Sequence, residues 1–315
     1  MNPIGGYLEL ELRRGEHYHK GALRLNTARN CFEYILLAKK YSKVYIPYYT
    51  CEVMLEPLLK CHVDYEFYAI NKRLEPEVTI DLKPHEAFLY TNYFGLKQKC
   101  VERLADVYQT QLIVDNAQAF YAPALTGIDT FYSPRKFFGL PDGAYLYTDT
   151  FWDVELETDT SYNRMLHLLK RWDIGAEAGY DDFKANDAAL TDNPIKIMSK
   201  LTDAMLASID YETARETRRK NYVYLHDFFK NSNLLDFELH ENDVPMIYPL
   251  LSKRNYLRQQ LIRNKIFVAI YWHNVLDWAP SNSLECELVT EMLALPIDQR
   301  IGKEDLKRII KIIGE

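Results

Sequence analysis

No run of about 18 apolar residues occurs in this 315-residue chain, so a helix that crosses a membrane is not expected. The five cysteines, Cys31, Cys51, Cys61, Cys100 and Cys286, include no C-x-x-C pair, and a zinc or other metal site is not expected either. Positive charge is scarce: the formal net charge is −7, which argues against nucleic acid as the main partner. Short basic clusters such as Arg215–Lys220 read as an exposed helix face. The opening MNPIGGYLEL lacks the basic-then-apolar order of an export signal, so a reducing, cytoplasmic location is the expectation. There is no internal repeat and no low-complexity tract.

What the chain does contain is ordinary globular material. Apolar residues make up 48% and charged residues 26%, enough for a sizeable core and too mixed for wholesale disorder. The 24 tyrosines suit sheets, interfaces or a polar pocket, and composition does not separate these uses.

Strand-like and helix-like stretches alternate through the first half. KVYIP (43–47), VDYEFYAI (63–70), EAFLYTNYF (86–94), QLIVD (111–115), DTFYS (129–133) and AYLYT (144–148) read as strands. TCEVMLEPLLKC (50–61) and KQKCVERLADVYQ (97–109) read as helices, as does the stretch that begins after Asn26 or Thr27 in LRLNTARNCFEYILL. Such alternation predicts a mainly parallel sheet covered by helices, with ligand-contacting residues at the carboxyl ends of strands. The second part changes texture. Helices are expected over 197–209 and the charged stretch after it, and over 255–264, 283–293 and 303–313. Strands are expected at FEL (237–239), MIYPLL (246–251) and VAIYW (268–272). The division is an α/β portion over residues 1–190 and a smaller α+β portion over 191–315.

Two residues stand out chemically. QLIVD delivers Asp115 at the end of an apolar strand, where an ionised carboxylate needs a cationic or protonated partner. Lys136 follows the next strand in FYSPRKFFGLPDGAYLY, so adjacent strands would bring both to one sheet edge. Asp115 reads either as a cap for the turn DNAQAF or as a group that holds a proton on a bound heterocycle. Lys136 reads either as a solvated surface charge or as the amine that forms an imine with pyridoxal 5′-phosphate. The helix start at Asn26–Thr27 is either an ordinary N-cap or a phosphate seat, because helix N-termini present free N–H groups. GLPDG (139–143) reads as a common turn.

The order of these features resembles the DegT/DnrJ/StrS-type aminotransferases, fold-type I pyridoxal-phosphate enzymes that act mostly on nucleotide-linked keto sugars. VDNAQAF and SPRKFFGLPDGAYL match the family's acid-x-x-Gln/His and lysine motifs. LNTARNCF, IPYYTCEV, TNYFGL, IYPLL, YWHNVLD and LALPIDQR follow in the family's order. The resemblance implies that Lys136 is the Schiff-base lysine and that Asp115 pairs with the pyridine nitrogen. It places Gln118 against the ring and Thr27 and Ala28 at the phosphate. Cys51 aligns where an aromatic residue usually stacks on the cofactor, with Tyr49 as the alternative in a register shifted by two. Phe131 stands where many members have a phosphate-binding serine, which leaves Ser133 as the nearest hydroxyl. Ile197 replaces the arginine of a stretch near the partner subunit, and Asn193 becomes the phosphate contact across a dimer. By resemblance, then, the expectation is a homodimeric aminotransferase. Its small-molecule amino donor is glutamate, its acceptor is a keto sugar, and its product enters a polysaccharide or glycoside. Two alternatives are another reaction on the same cofactor, for which relatives that dehydrate sugars carry histidine in place of the lysine, and a catalytically silent dimer that keeps the fold.

Overall fold

The computed structural model describes residues 4–254 and 256–314. Its larger sheet has seven strands: β1 (Leu23–Leu25), β2 (Lys43–Pro47), β3 (Asp64–Tyr68), β4 (Glu86–Thr91), β5 (Leu112–Asp115), β6 (Asp129–Tyr132) and β7 (Ala144–Tyr147). They lie in the order β1-β7-β6-β5-β4-β2-β3. The pairings among β2 to β6 are parallel, whereas β7 is antiparallel to both β6 and β1. The fold is therefore α/β with a mainly parallel sheet.

Every residue of β4, β5 and β6 is buried, as parallel strands covered on both faces require. The two-residue period divides each strand between two cores. Ala87, Leu89, Ile113 and Phe131 join the core under α1 (Ala28–Lys39). Phe88, Tyr90, Leu112, Val114 and Tyr132 join the larger core on the other face, where Phe88 stacks on Tyr108. Tyr108 ends α3 (Gln98–Tyr108); α2 (Leu55–Lys60) is short, after one 3-10 turn, so the helix expected from residue 50 starts late.

Beyond β7 come α4 (Leu166–Asp173), α5 (Tyr180–Ala189), α6 (Lys200–Ala207) and α7 (Tyr211–Phe229). The stretch read as one continuous helix, or two, is two: Asp210 caps α7 by accepting the Thr213 amide. Then follow β8 (Ile247–Leu251), α8 (Leu257–Arg263), α9 (Val275–Trp278), α10 (Leu284–Glu291), β9 (Met292–Pro296) and α11 (Lys303–Gly314). Strands β8 and β9 pair antiparallel as a second, two-stranded sheet. FEL forms no strand. VAIYW contributes one bridge, Ala269 to Ala294, and the helix expected over 283–293 gives way to β9 at Met292. Residues 194–198 belong to the edge of the large sheet, where Ile197 bridges Leu25 and Thr158. Among the described residues no helix is long and apolar enough to cross a membrane, and no cluster of three His, Cys, Asp or Glu side chains is placed to hold a metal.

Just after β4, Gly95 packs against the segment that leads into β8. Its φ is +72°, and a Cβ there would sit 2.7 Å from the Val244 carbonyl oxygen and 3.4 Å from that of Gln118. Backbone fills the space on both sides, so no flexible side chain can give way. Gly95→Ala is expected to destabilise the protein by about 2 kcal/mol or more, read as a lowered urea midpoint with an unchanged slope.

Candidate functional site

Parallel order puts the carboxyl ends of β2, β4, β5 and β6 on one edge. Asp115 ends β5, level with Thr91 of β4 and Phe131 of β6. Its side chain is buried and Oδ1 accepts the Ala117 amide at 2.8 Å. Burial pushes the carboxyl up to about 6; the Ala117 amide and the Lys136 charge pull the other way and do not cancel it.

Lys136 closes a 3-10 turn, Pro134–Lys136, directly after β6. Its amide donates to the Ser133 carbonyl at 3.2 Å, and proline at the first turn position pre-sets the backbone. The side chain is exposed, and among the described residues its ammonium makes no ion pair or hydrogen bond. Cys51 follows β2 on the same edge. Its thiol is pushed up by burial; the Lys136 charge opposes this and the Asp115 charge adds to it. Cys51, Asp115 and Lys136 thus share one neighbourhood. Tyr49 is fully buried, edge-on to Trp272 with ring centres 4.9 Å apart.

Gln118 is buried in the turn after β5, where Oε1 accepts the Phe94 amide at 3.2 Å. Its amide NH2 remains available as a donor. Thr27 caps α1 by accepting the Asn30 amide at 3.1 Å, and its own proton goes to Asn30 Oδ1. The hydroxyl is spent within the cap, but Thr27 and Ala28 open the helix, and their amides have no intrahelical acceptor. The strand register carries this end of α1 to the same edge: Leu25 pairs with Ala144, and Tyr145 with Tyr132. Ser133 follows Tyr132 there, buried, without a side-chain capping bond. Asn193 lies against α1 of its own chain, its carbonyl accepting Asn30 Nδ2 at 3.0 Å while its buried Oδ1 has no donor. Phe131 turns into the core, 6.0 Å from the Phe32 ring, so it presents nothing to this edge.

Three residues beside the lysine turn escaped the sequence reading. Asp142, in GLPDG, is fully buried. It accepts from Ser161 Oγ and Thr202 Oγ1, each at 2.5 Å or near it, and from Arg164 Nε at 3.1 Å. That network ties the segment after Lys136 to α6. Arg218, within the basic run taken for an exposed face, is instead 2% exposed and bonded to the Phe137 carbonyl. Gln299 donates to the same carbonyl at 2.9 Å. No local pattern distinguishes any of the three.

An unpaired amine, a buried carboxyl that lacks a cation, free helix amides and a spare hydroxyl on one sheet edge suit an aldehyde-bearing cationic heterocycle with a phosphate tail. Pyridoxal phosphate has those parts, and the donor set fits it. A groove of about 760 Å³ lined by Tyr18, His19, Tyr121, Tyr147 and Arg215 includes none of these residues.

No family model matches the chain, and no curated protein matches it by sequence. Solved structures do match. An aminotransferase of the DegT/DnrJ/EryC1/StrS type from Brucella abortus is 14% identical, with a TM-score of 0.63 over 95% of this chain and 86% of that one. DesV from S. venezuelae, solved with a ketimine intermediate, is 14% identical, with a TM-score of 0.64 over 93% and 83%. A GDP-4-keto-6-deoxymannose-3-dehydratase is 14% identical, with a TM-score of 0.62 over 93% and 88%. At this identity the likeness establishes the fold, that of the sugar aminotransferases, across nearly the whole chain.

Asp115 supplies a test that needs no ligand. A carboxyl raised from 3.8 to about 6 on folding keeps its proton in the native state while the unfolded chain releases it. Native stability therefore falls as pH rises from about 4 to about 6, by about 3 kcal/mol in all. Asp115→Asn keeps the oxygen that accepts from Ala117 and removes the charge. The variant should match the parent's melting temperature at pH 4 and exceed it at pH 8. A variant less stable at pH 8 would mean that the carboxylate is already compensated.

Proposed function

We propose that the protein is a pyridoxal 5′-phosphate-dependent aminotransferase that moves an amino group from glutamate to a nucleotide-linked keto sugar. The observation that carries this reading is the placement of an unpartnered Lys136 amine and a desolvated Asp115 carboxyl on one strand edge. The sugar, the donor and a role in polysaccharide or glycoside synthesis rest on the motif resemblance and on the similarity to solved sugar aminotransferases.

Lys136 would hold the cofactor covalently, with Asp115 at the ring nitrogen, Gln118 and Cys51 at the ring, Thr27, Ala28 and Ser133 at the phosphate, and Asn193 reaching the phosphate across a dimer. When bound, pyridoxal phosphate supplies an electron-withdrawing ring that stabilises negative charge on the donor's α-carbon. Beside a cationic ring nitrogen, Asp115 would be held as a carboxylate and would keep that nitrogen's proton in place. The Lys136 amine would take the donor's α-carbon proton as base and deliver it as acid to the cofactor's C4′ carbon. Its turn, fixed by Pro134 and the Asp142 network, keeps that amine within reach. A thiol at Cys51 leaves more room over the ring than an aromatic side chain does.

A second reading, a silent dimer of the same fold, draws on the burial of Phe131 and the commitment of the Thr27 hydroxyl to Asn30, both of which thin the phosphate seat. Lysine at position 136 speaks against a dehydratase. We further assign the cofactor part to residues 1–190, the smaller part to 191–315, and the location to the cytoplasm. A homodimer is supported by the unpartnered apolar side chains of the α4–α5 region: Trp172 is 95% exposed, Ile174 71% and Leu169 59%.

Borohydride reduction of protein incubated with pyridoxal phosphate should fix the label on the peptide containing Lys136. Label elsewhere sinks the assignment. Release of 2-oxoglutarate from glutamate then separates the enzyme from the silent binder, and Asp115→Asn should slow it by about 10²-fold or more. Light scattering at low micromolar concentration should give twice 37.1 kDa, and Trp172→Glu should lower it; a functional monomer would overturn the dimer.

A further inference from the structure

Arg218 is a buried cation that no carboxylate among the described residues holds in an ion pair. Its guanidinium donates from Nη2 to the Phe137 carbonyl at 3.1 Å, from Nη1 to the Met246 carbonyl at 3.0 Å and from Nε to Gln299 Oε1 at 3.0 Å. Gln299 Nε2 closes the ring of contacts by donating to the same Phe137 carbonyl at 2.9 Å. The guanidinium also lies over the Phe137 ring, 4.5 Å from its centre. Such a charge costs desolvation, and apolar residues of its volume are often the cheaper filling. What it gains is one rigid fork that reaches three acceptors on three separate segments.

Those segments are informative. Phe137 directly follows Lys136, Met246 precedes β8, and Gln299 follows β9. Arg218 itself stands on α7. The Met246 amide in turn donates to the Phe94 carbonyl at 2.8 Å, and the Phe94 amide donates to Gln118 Oε1. One hydrogen-bonded chain therefore runs from Gln118, through Phe94, the residue that precedes β8 and Arg218 of α7, to the peptide beside Lys136.

We propose that Arg218 and Gln299 are positioning residues for Lys136, fixing its turn to the small two-stranded sheet so that the orientation of that sheet sets the reach of the amine. This rests on Lys136 being the attachment lysine. Attachment joins the lysine nitrogen to the aldehyde carbon with loss of water, and borohydride then reduces the C=N bond. Pyridoxamine phosphate lacks the aldehyde and needs the pocket but not the lysine.

The test compares the two ligands on Arg218→Met, Arg218→Lys and Gln299→Leu, with Lys136→Ala as reference. The expected result is a fall of about tenfold in borohydride-fixed label at limiting pyridoxal phosphate for Arg218→Met and Gln299→Leu, the scale set by lost hydrogen bonds to a charged group. Arg218→Lys, which keeps the charge and reaches one acceptor, should recover part of it. Binding of pyridoxamine phosphate should stay within about twofold of the parent in all, Lys136→Ala included. Equal loss of both ligands would reduce the clamp to general stability and overturn the proposal, as would label that does not change. If Arg218→Met fails to fold, Gln299→Leu, only partly buried, carries the same comparison. A parent protein that takes up pyridoxamine phosphate yet labels a lysine other than Lys136, or takes up neither ligand, brings down the reading of the site, and the clamp with it.

Discussion

A carboxyl group at the sealed end of a strand is costly. Asp115 closes β5 among buried neighbours on both sides of the sheet, with one amide as its hydrogen-bond donor. Removing a carboxylate from water for so little return raises its affinity for a proton, or for any cation that can come close. The rest of the edge is arranged around that demand. Parallel strand order brings the ends of β2, β5 and β6 to one side, and with them Cys51, Asp115 and Lys136. The antiparallel return of β7 beside β1 then brings the first turn of α1 to the same place.

The parts that were legible in the sequence are those with local causes. QLIVD ends in Asp115 because an apolar strand stops at a charge, and SPRKFFG puts Lys136 one turn past a strand because proline starts that turn. Thr27 is legible as a cap because its side chain satisfies an amide three residues on. The clamp and the Asp142 network have no local cause. Arg218 sits in a run of basic residues, and only the packing of α7 against β8 selects it for burial over Arg215, Arg219 and Lys220. GLPDG is indeed a turn, but nothing nearby shows that its carboxylate will meet Thr202 and Arg164. Strand β9 was hidden for another reason: LVTEMLALP is apolar at helical spacing up to Met292 and continuously apolar afterwards, so periodicity does not mark the switch. VAIYW has the composition of a strand, but β9 pairs with β8 along its length and leaves it one bridge.

Two features of the structure bear together on the proposed phosphate seat. Phe131 packs on Phe32 and offers no polar group, and the Thr27 hydroxyl is engaged by Asn30. Main-chain amides of the first helical turn and the Ser133 hydroxyl remain. Helix amides hold a dianion through several parallel dipoles fixed by the backbone, so the seat loses side-chain donors without losing direction. On the proposed reading this shifts the balance between the two ways of keeping a cofactor. A covalent link to Lys136 must break in every half-cycle, and through that interval the ligand is held by ring and phosphate contacts alone. A thin phosphate seat and a small thiol over the ring weaken both contacts in that interval, while the tightly fixed lysine turn strengthens the covalent one. On that reading the position of Lys136, and whatever holds it, would carry a larger share of cofactor retention than the proposed phosphate seat.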